Sequence, residues 1–497
     1  MTPLGSSGVG LDSSRRNEAV SQRLVIRHGR RIGEYVNPRS GSKSGERSVD
    51  MPRTKEDLLA VDRAHLIHPL HNPGLHANGH VWTSGSGAIL IDADGREFLD
   101  VASGLWNVVA GHGRRELIEA ASRQAESLAY CSLYSGSSNV SAVELAERLA
   151  GLAYPSINHF FFTCGGGESI ESAVKTARYY WKAHGRPEKV KTISRQWGYH
   201  GTTLSGMSAT GMANYWPMFE PRVPGFVQIP SPYPYRYKAP PGVSPGIAMA
   251  DELEQAILRE GPETVAMFLA EPVQGGAGVI VPPDDYFPRI REICDQYNVL
   301  FCADEIITGF GRTGKWFGLE HWGIEPDLMT FAKAITSGYF PLGGMGVSDA
   351  IADTMSTSDM VWMHAYTYSG HPVGCAVALA NLEILDREDF RGQAVEKGSD
   401  LRRRLHERLG AHPHVGEIRG IGLMTGVEFV QDRETRAEFD RDEKVGQRIH
   451  VAAQDRGLFT RIRDDIFCIA PPYVITTQQI DQLVERLGAA VEEVLGP

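Results

Sequence analysis

Short apolar segments alternate with amphipathic stretches along most of the chain. Five segments have the length and composition of buried β-strands: residues 158–163, 191–194, 265–271, 299–303 and 328–332. Helical periodicity separates them, most clearly from Ile170 to Trp181. This alternation predicts an α/β fold with a mostly parallel sheet that is covered by helices on both faces. In such sheets, functional residues are expected at the carboxyl ends of the strands.

The pattern changes towards both ends of the chain. Residues 88–92 and 97–101 flank an Asp-Gly turn and predict a β-hairpin. The region after residue 370 is helical and then mixed, without an internal repeat. We therefore expect a large domain over residues 116–370, and a smaller α+β domain formed by residues 56–115 and 371–497.

Residues 1–55 are rich in Ser, Gly and Arg and lack sustained hydrophobic periodicity. This composition predicts a flexible N-terminal extension. A transit peptide and a misassigned start site are the alternatives, and the acidic residues in this stretch argue against the first of them.

Charge and cysteine content narrow the class of protein. The net charge of -11 argues against a nucleic-acid-binding protein, which would usually be basic. No apolar run approaches the length of a membrane span. The six cysteines form no CxxC pair, so we expect a reducing compartment, the cytoplasm, rather than a disulfide scaffold.

A glycine triplet follows the first predicted strand. The segment Thr163-Cys164-Gly165-Gly166-Gly167 leads directly into the predicted helix. Glycines allow close approach of the backbone, and a helix N-terminus supplies unpaired N–H groups and the positive end of the helix dipole. The segment is a candidate phosphate cradle, although a strand–helix turn without a ligand would look the same.

Two carboxylates and a lysine follow neighbouring predicted strands. Asp304 and Glu305 end the strand at 299–303, where a carboxylate could keep a pyridine nitrogen protonated. A helix cap or a metal-binding pair are alternatives, and the second is weaker because no His or Cys stands nearby at ligand spacing. Lys333 follows the next strand, where partial desolvation would make its amine nucleophilic towards an aldehyde.

One aromatic residue stands in a loop that also follows a predicted strand, as Asp304 and Lys333 do. Tyr199 lies in Trp197-Gly198-Tyr199-His200-Gly201, after the strand at 191–194. An aromatic side chain flanked by glycines can lie flat on a cofactor ring. The alternative is a loop aromatic that packs on the core.

Taken in order, these motifs resemble the class III aminotransferases, which are pyridoxal-phosphate (PLP) enzymes of fold type I. The resemblance covers residues 58–494. It rests on the glycine-rich cradle, Tyr-His-Gly, Glu-Pro-Val-Gln-Gly, Ala-Asp-Glu, Ala-Lys and Thr-Tyr-Ser-Gly-His-Pro. Each motif is weak alone, and their common order makes the resemblance specific.

The resemblance implies roles around the cofactor ring. Lys333 corresponds to the lysine that binds PLP as a Schiff base and shuttles the substrate proton. Asp304 corresponds to the partner of the pyridinium nitrogen. Tyr199 and Ile306 correspond to the residues that cover the two faces of the ring.

It also implies how the phosphate is held. Gly166 and Gly167 are expected to donate backbone N–H groups to the phosphate. Thr367 corresponds to a threonine that reaches the phosphate from the neighbouring subunit, so a homodimer is expected, with a tetramer as the alternative. Many relatives have Ser-Gly-Ser in place of the three glycines, so the cradle here is expected to rely on backbone donors.

Two positions distinguish branches of the family. Relatives that use 2-oxoglutarate often carry a glutamate where this chain has Gly276, paired with an arginine just before Ala-Pro-Pro. Here Cys468 and Ile469 occupy that second place. Both halves of the switch are absent.

The resemblance to pyruvate-dependent ω-transaminases is carried by other residues. Arg461 matches their mobile arginine, which binds the carboxylate of pyruvate or alanine, and Arg463 is the rival candidate. Trp106 resembles a tryptophan that lines the substrate pocket, and Tyr134 is expected nearby. A surface arginine and a buried structural tryptophan are the alternatives.

Together these features predict a ping-pong aminotransferase that moves an amino group from an amine or ω-amino donor to a keto acid, with pyruvate as the expected acceptor. A 2-oxoglutarate-dependent ω-amino acid aminotransferase is one alternative. A PLP aminomutase, decarboxylase or racemase on the same fold is another, because fold does not determine reaction. A non-catalytic protein with this fold is the third.

Overall fold

The central sheet contains the five strands predicted from the apolar segments. The computed structural model describes residues 53–72, 79–134 and 136–497, and within them this sheet has seven strands. Their order across the sheet is Ile157–Thr163, Gly343–Ser348, Leu328–Phe331, Leu300–Asp304, Val265–Ala270, Lys191–Arg195 and Phe226–Ile229. The last five are parallel, whereas Gly343–Ser348 is antiparallel to both neighbours. The predicted mostly parallel sheet is confirmed.

Both faces of this sheet are covered. Along Val265–Ala270, Met267 and Phe268 point into different apolar clusters, as the alternation of side chains along a strand requires. The helix Gly166–Ala183 packs in the cluster that contains Met267, and the helix Tyr286–Tyr297 packs in the cluster that contains Phe268. Burial on both faces explains why the strand sequences are continuously apolar.

The antiparallel strand Gly343–Ser348 was not predicted, because three of its first four residues are glycine. Glycine weakens a strand unless another group approaches closely. A β-carbon at Gly346 would lie 2.6 Å from a methyl carbon of Ile157 on the adjacent strand. The glycines are therefore required by close packing. Phe226–Ile229 was also not predicted, since it has only four residues.

The helices of the described residues surround the sheets. Those of six or more residues are Lys55–His65, Arg115–Leu128, Val140–Ala150, Gly166–Ala183, Leu204–Ala209, Pro245–Glu260, Tyr286–Tyr297, Asp349–Thr357, Pro372–Arg387, Phe390–Leu409, Val445–Asp455 and Thr477–Leu495. None of the helices in the described parts of the chain is long and apolar enough to cross a bilayer.

Two four-stranded sheets are formed by residues before 101 and after 414, again within the described residues. One has the order Trp82–Ser86, Ile89–Asp92, Glu97–Asp100 and Leu458–Phe459, and it contains the predicted hairpin. The other has the order Val415–Ile421, Met424–Phe429, Ile466–Ile469 and Arg461–Arg463. The first sheet thus joins an early and a late segment, through the pair Leu99 and Leu458.

Residues 54–497 form one compact unit. The domain boundaries expected at residues 115–116 and 370–371 stay a prediction. The expected extension over residues 1–55 lies outside the described residues except for its last three. There, Thr54 caps the helix Lys55–His65 by accepting a hydrogen bond from the amide of Asp57.

Candidate active site

Polar residues meet where the parallel strands of the central sheet end. Asp304 is the last residue of its strand, and Lys333 and Glu271 follow the two strands on either side of it. The loop with Tyr199 and His200 follows the strand beyond Glu271. This edge is the expected position for a ligand site in a doubly covered parallel sheet.

Asp304 is only 2% exposed and is held by three donors. The imidazole Nδ1 of His200 lies 2.7 Å from Oδ2 of Asp304. The amide of Ile306 and the hydroxyl of Thr330 donate to Oδ1 of Asp304, at 3.2 and 3.3 Å. These three donors fix the orientation of the Asp304 carboxylate at the end of its strand.

Glu305 faces away from Asp304 into the protein. Its carboxylate accepts hydrogen bonds from the hydroxyls of Tyr154 and Thr308 and from the amides of Gly318 and Leu319, at 2.8 and 3.2 Å for the amides. Burial raises the pKa of Glu305, and these four donors oppose the shift. Of the two adjacent carboxylates, only Asp304 is therefore available to the site.

Lys333 begins a 3₁₀ turn and has a positive φ of 50°, which is unusual for a residue with a side chain. Burial lowers the pKa of its amine to about 8. The charge of Arg461 acts in the same direction, whereas Asp304 and Glu271 oppose it. The structure thus places a readily neutral amine at the end of the sheet where Asp304 and Glu271 lie, as a nucleophile requires.

The lowered pKa of Lys333 predicts a pH dependence in the apoprotein. Only the neutral amine reacts with formaldehyde, so reductive methylation of Lys333 should rise with pH, reach half its maximum near pH 8 and level off above it. Exposed lysines should follow their ordinary value of about 10.4. Quantitative mass spectrometry of the peptide that contains Lys333 measures this. A Lys333 profile that coincides with the exposed lysines would contradict the prediction.

Glu271 connects the loop of Tyr199 to the next strand. It is 3% exposed and accepts hydrogen bonds from the amides of Tyr199 and Gly275, at 3.0 and 3.1 Å. Burial raises the pKa of Glu271, with a contribution from Asp304, and His200 opposes the shift. The ring of Tyr199 also meets that of Tyr215 edge-on, with 6.5 Å between centroids. These contacts hold Tyr199 at the edge of the site.

The glycine triplet opens the helix Gly166–Ala183, as predicted. No side chain caps this helix, so its first N–H groups are available to an anion. A β-carbon at Gly166 would lie 2.8 Å from Cδ1 of Ile306, and one at Gly167 would lie 3.2 Å from Thr203. Ile306 and the start of the helix are thus in contact, which the sequence does not reveal.

Arg461 and Arg463 lie on the same short edge strand but have different surroundings. Arg463 forms an ion pair with Asp464. No carboxylate in the described part of the chain forms an ion pair with Arg461. Burial raises the pKa of Tyr199 and lowers that of Lys333; the charge of Arg461 opposes the first shift and adds to the second, so its guanidinium lies on the same side of the fold as both. Of the two arginines, Arg463 is thus the one that already has a carboxylate partner.

The other predicted residues, Trp106, Tyr134 and Thr367, differ in how far they are buried. Trp106 is 3% exposed and packs with Val273, Ile307 and other apolar residues. Tyr134 is 48% exposed, and Thr367 is also exposed. Within this chain the structure does not bring Tyr134 or Thr367 into contact with the buried site residues.

Three residues of the site were missed by sequence reasoning. His200 stands beside Tyr199 in Tyr-His-Gly, and Glu271 begins Glu-Pro-Val-Gln-Gly, so both were inside recognised motifs. Arg312, described below, was not singled out. A polar residue directly after an apolar strand was the available signal for Glu271, whereas the contact of His200 with Asp304 joins residues that are distant in sequence.

These residues fit PLP. A largely buried amine can meet its aldehyde, Asp304 can meet its ring nitrogen, and an uncapped glycine-rich helix start can meet its phosphate. Fold and site together define a PLP-dependent transferase of fold type I. The chain belongs to the class-III aminotransferases, whose family model matches residues 74–491. It is a PLP-dependent aminotransferase.

Similar proteins cover nearly all of the described chain. A putrescine–pyruvate aminotransferase of Pseudomonas aeruginosa is 40% identical over 430 residues, which are 86% of this chain and 93% of the relative. A diaminobutyrate–2-oxoglutarate transaminase of Halomonas elongata is 38% identical, over 89% of this chain and 97% of the relative. The crystal structure of an (S)-enantioselective omega-transaminase from Thermomicrobium roseum has a TM-score of 0.86 at 46% identity, and it covers 90% of this chain and 100% of its own.

Proposed function

We propose that the protein is an ω-transaminase that transfers an amino group from an amine or ω-amino donor to pyruvate. The observation that carries this proposal is the guanidinium of Arg461, which forms no ion pair with a carboxylate of the described residues and whose charge acts on the amine of Lys333. A guanidinium binds a carboxylate through two parallel hydrogen bonds, and it would hold the keto acid next to the reacting centre. The putrescine–pyruvate relative and the omega-transaminase structure support this choice of substrates.

The residues of the chain would act as follows. When bound, PLP supplies an electron sink for the negative charge that develops at the substrate carbon. Asp304 keeps its charge next to the ring nitrogen, supported by His200. The amine of Lys333 would take the proton from the donor carbon and pass it to the cofactor carbon that keeps the amino group, which its lowered pKa favours near neutral pH. Tyr199 and Ile306 would hold the ring from its two faces.

The absence of the glutamate–arginine switch supports pyruvate over 2-oxoglutarate. A β-carbon at Gly276 would lie 3.5 Å from Cβ of Tyr199 and 3.5 Å from Cε of Met212, so the position faces the site. Glycine there leaves no carboxylate to shield an arginine. The 38% identical diaminobutyrate–2-oxoglutarate relative is the reason to keep 2-oxoglutarate as the second candidate acceptor.

We also propose that the protein is a homodimer in which Thr367 completes the phosphate site of the partner. Thr367 lies in an exposed loop, and the hydroxyl of Tyr130 donates to its carbonyl at 2.8 Å. The loop exposes large apolar side chains, with Val361 and Met363 at 75% and 81%. An exposed apolar patch of this kind is typical of a protein–protein interface. Tyr368 in the same loop is 58% exposed, and its ring meets that of Tyr130 edge-on.

A cytoplasmic location is proposed from the state of the thiols. All six cysteines are unpaired. Burial raises the pKa values of Cys294 and Cys375 to about 12, so these two thiols are unreactive as well. Free, unreactive thiols are typical of proteins from a reducing compartment.

The proposed role of Arg461 predicts a selective loss. Arg461→Leu should raise KM for pyruvate by about tenfold to about 100-fold, because a charge-assisted pair with the carboxylate is lost. KM for an aromatic amine without a carboxylate should stay close to the wild-type value. Steady-state kinetics with both substrates varied measures this. Arg463→Leu is the matched control on the same strand, and an equal effect of the two variants would refute the assignment.

A half-reaction experiment tests the acceptor. The PLP-loaded protein is mixed with a panel of diamines, β-amino acids and aromatic amines, and loss of the cofactor's absorbance band identifies donors. Pyruvate or 2-oxoglutarate is then added to the aminated protein. Recovery of the band with pyruvate supports the proposal, whereas recovery with 2-oxoglutarate alone overturns it. Repeated turnover of one donor without any acceptor, beyond one equivalent per active site, would indicate a mutase or decarboxylase instead.

A further inference from the structure

A buried arginine joins three separate parts of the chain near the proposed substrate site. Arg312 is 0% exposed. Its Nη1 donates to the carbonyl of Pro471 at 2.7 Å, and its Nη2 donates to the hydroxyl of Ser103 at 3.1 Å. A longer contact of 3.3 Å reaches the carbonyl of Leu423, and the guanidinium lies 4.7 Å from the ring centre of Tyr473.

This cation is buried without a directly paired anion. No carboxylate in the described residues forms an ion pair with Arg312, and its Nε has no hydrogen-bond partner. Burial lowers the pKa of Arg312, and electrostatic interactions with Tyr473 and Asp100 oppose the shift. Burying a charge is costly unless polar groups compensate, and here carbonyl dipoles and an aromatic ring do so. Such a costly arrangement indicates a specific structural task.

The first segment that Arg312 contacts is the turn that carries Trp106. Three residues of this turn have positive φ: Ser103 at 48°, Gly104 at 64° and Trp106 at 66°. A positive φ is unfavourable for residues that have a side chain. The carboxylate of Asp100 accepts hydrogen bonds from the amides of Ala102 and Gly104, at 3.1 and 2.7 Å. The turn therefore keeps its shape only because polar contacts hold it.

The second segment leads to Arg461. The hydroxyl of Ser103, which accepts from Arg312, donates to the carbonyl of Ala470 at 2.6 Å. Ala470 directly follows the strand Ile466–Ile469, and Cys468 in that strand is paired with Arg461. One guanidinium and one hydroxyl thus connect the turn of Trp106 to the strand that aligns Arg461.

We propose that Arg312 is a positioning residue for the substrate site: together with Ser103, it holds the Trp106 turn against the strand end that aligns Arg461. The proposal rests on the substrate role proposed above for Arg461 and on the pocket role that the family resemblance implies for Trp106. Because one brace holds both determinants, its loss should weaken the binding of the amine donor and of the keto acid together. Proton transfer by Lys333 should be little changed, since neither Arg312 nor Ser103 touches Lys333.

Two variants weaken this brace to different extents. Arg312→Lys keeps the charge but cannot span Ser103 and Pro471 at once, and Ser103→Ala removes only the hydroxyl. Arg402→Lys is the matched control, because Nη1 of Arg402 donates to the carbonyl of Gly422 at 2.7 Å, beside Leu423. Arg402 lies on the helix Phe390–Leu409, and its hydrogen bonds go to Gly422 and Met424 rather than to the Trp106 turn.

The PLP-loaded wild type and the three variants are compared in two measurements. Steady-state kinetics separate KM from kcat for donor and acceptor. Hydrogen–deuterium exchange reports the amides that depend on the brace: Ala470, which donates to the carbonyl of Val101 at 2.7 Å, and Asn107 and Val108, which both donate to Ser103 at 3.0 Å. The cofactor's absorbance confirms that each variant is folded and loaded.

For Arg312→Lys we expect KM to rise about tenfold for both substrates, with kcat within about threefold of wild type and faster exchange at both segments. Ser103→Ala should show the same pattern more weakly, and Arg402→Lys should not show it. Unchanged exchange at both segments overturns the proposal, as does an equal response of Arg402→Lys. If the wild type transfers no amino group to any acceptor, the proposed function fails, and the exchange measurement by itself still decides the role of Arg312.

Discussion

Lys333→Ala is expected to lower kcat for amino transfer by at least about 1000-fold, the largest effect of any single substitution in this protein. The amine of Lys333 is largely buried, and the charges of Asp304 and Glu271 act on it at the end of the sheet. Alanine at this position removes the nucleophile for the cofactor aldehyde and the group that carries the substrate proton. Among the described residues of the site, no other side chain offers a primary amine.

Turnover with a donor found in the half-reaction screen, together with the cofactor's absorbance, measures this effect. Lys189→Met is the matched control. Lys189 is 1% exposed, and burial lowers the pKa of its amine to about 8 as well, but it contacts Trp181 and the carbonyl of Pro262 instead of the site. Its substitution should leave kcat near the wild-type value. Persistence of turnover in Lys333→Ala would remove the basis of the proposed mechanism.

Asp304→Asn is expected to lower kcat by about 100-fold to about 1000-fold. The amide has nearly the size of the carboxylate, so the packing around it is kept. It cannot carry the negative charge that holds a ring nitrogen protonated. Its N–H group would also face the three donors that bind the carboxylate in the wild type, from His200, Ile306 and Thr330. The loss should therefore be electrostatic, and the cofactor's absorbance spectrum should change.

Glu305→Gln, at the neighbouring position, is the control for this experiment. Glu305 accepts its four hydrogen bonds inside the protein, away from Asp304. Its neutralisation should lower the melting temperature, because buried donors lose part of their acceptor, while the cofactor's spectrum stays unchanged. If both variants changed the spectrum equally, the distinction between the two carboxylates would be wrong.

Much of the fold could be predicted because the apolar strand segments are buried on both faces. Their continuous hydrophobicity is a strong local signal, and the five predicted strands and the hairpin are confirmed to within about two residues at each end. The strand Gly343–Ser348 gave no such signal. Its glycines are explained only by the side chain of Ile157 on the adjacent strand, a contact between positions far apart in sequence.

The residues of the candidate site also fall into two groups: those that the sequence reveals and those that only the structure reveals. Asp304, Lys333 and Gly166 stand directly after strands, so local pattern and motif order were enough to select them. His200 and Arg312 act through contacts across more than 100 residues, to Asp304 and to Ser103 or Pro471. A pattern along the chain cannot report such contacts. The same is true of the choice between Arg461 and Arg463, which depends on the ion pair of Arg463 with Asp464.

The sequence by itself determined the class of fold, the positions of five strands of the central sheet and the residue types that PLP chemistry needs. These are local properties, since burial periodicity and strand-end motifs are written in neighbouring residues. The tertiary structure decided which groups face one another. It directed Asp304 towards His200 and Glu305 away from it, left Arg461 without an ion pair among the described residues, and connected the Trp106 turn to the strand of Arg461 through Arg312 and Ser103. Those outcomes depend on distances and burial, which arise only when segments far apart in sequence pack together.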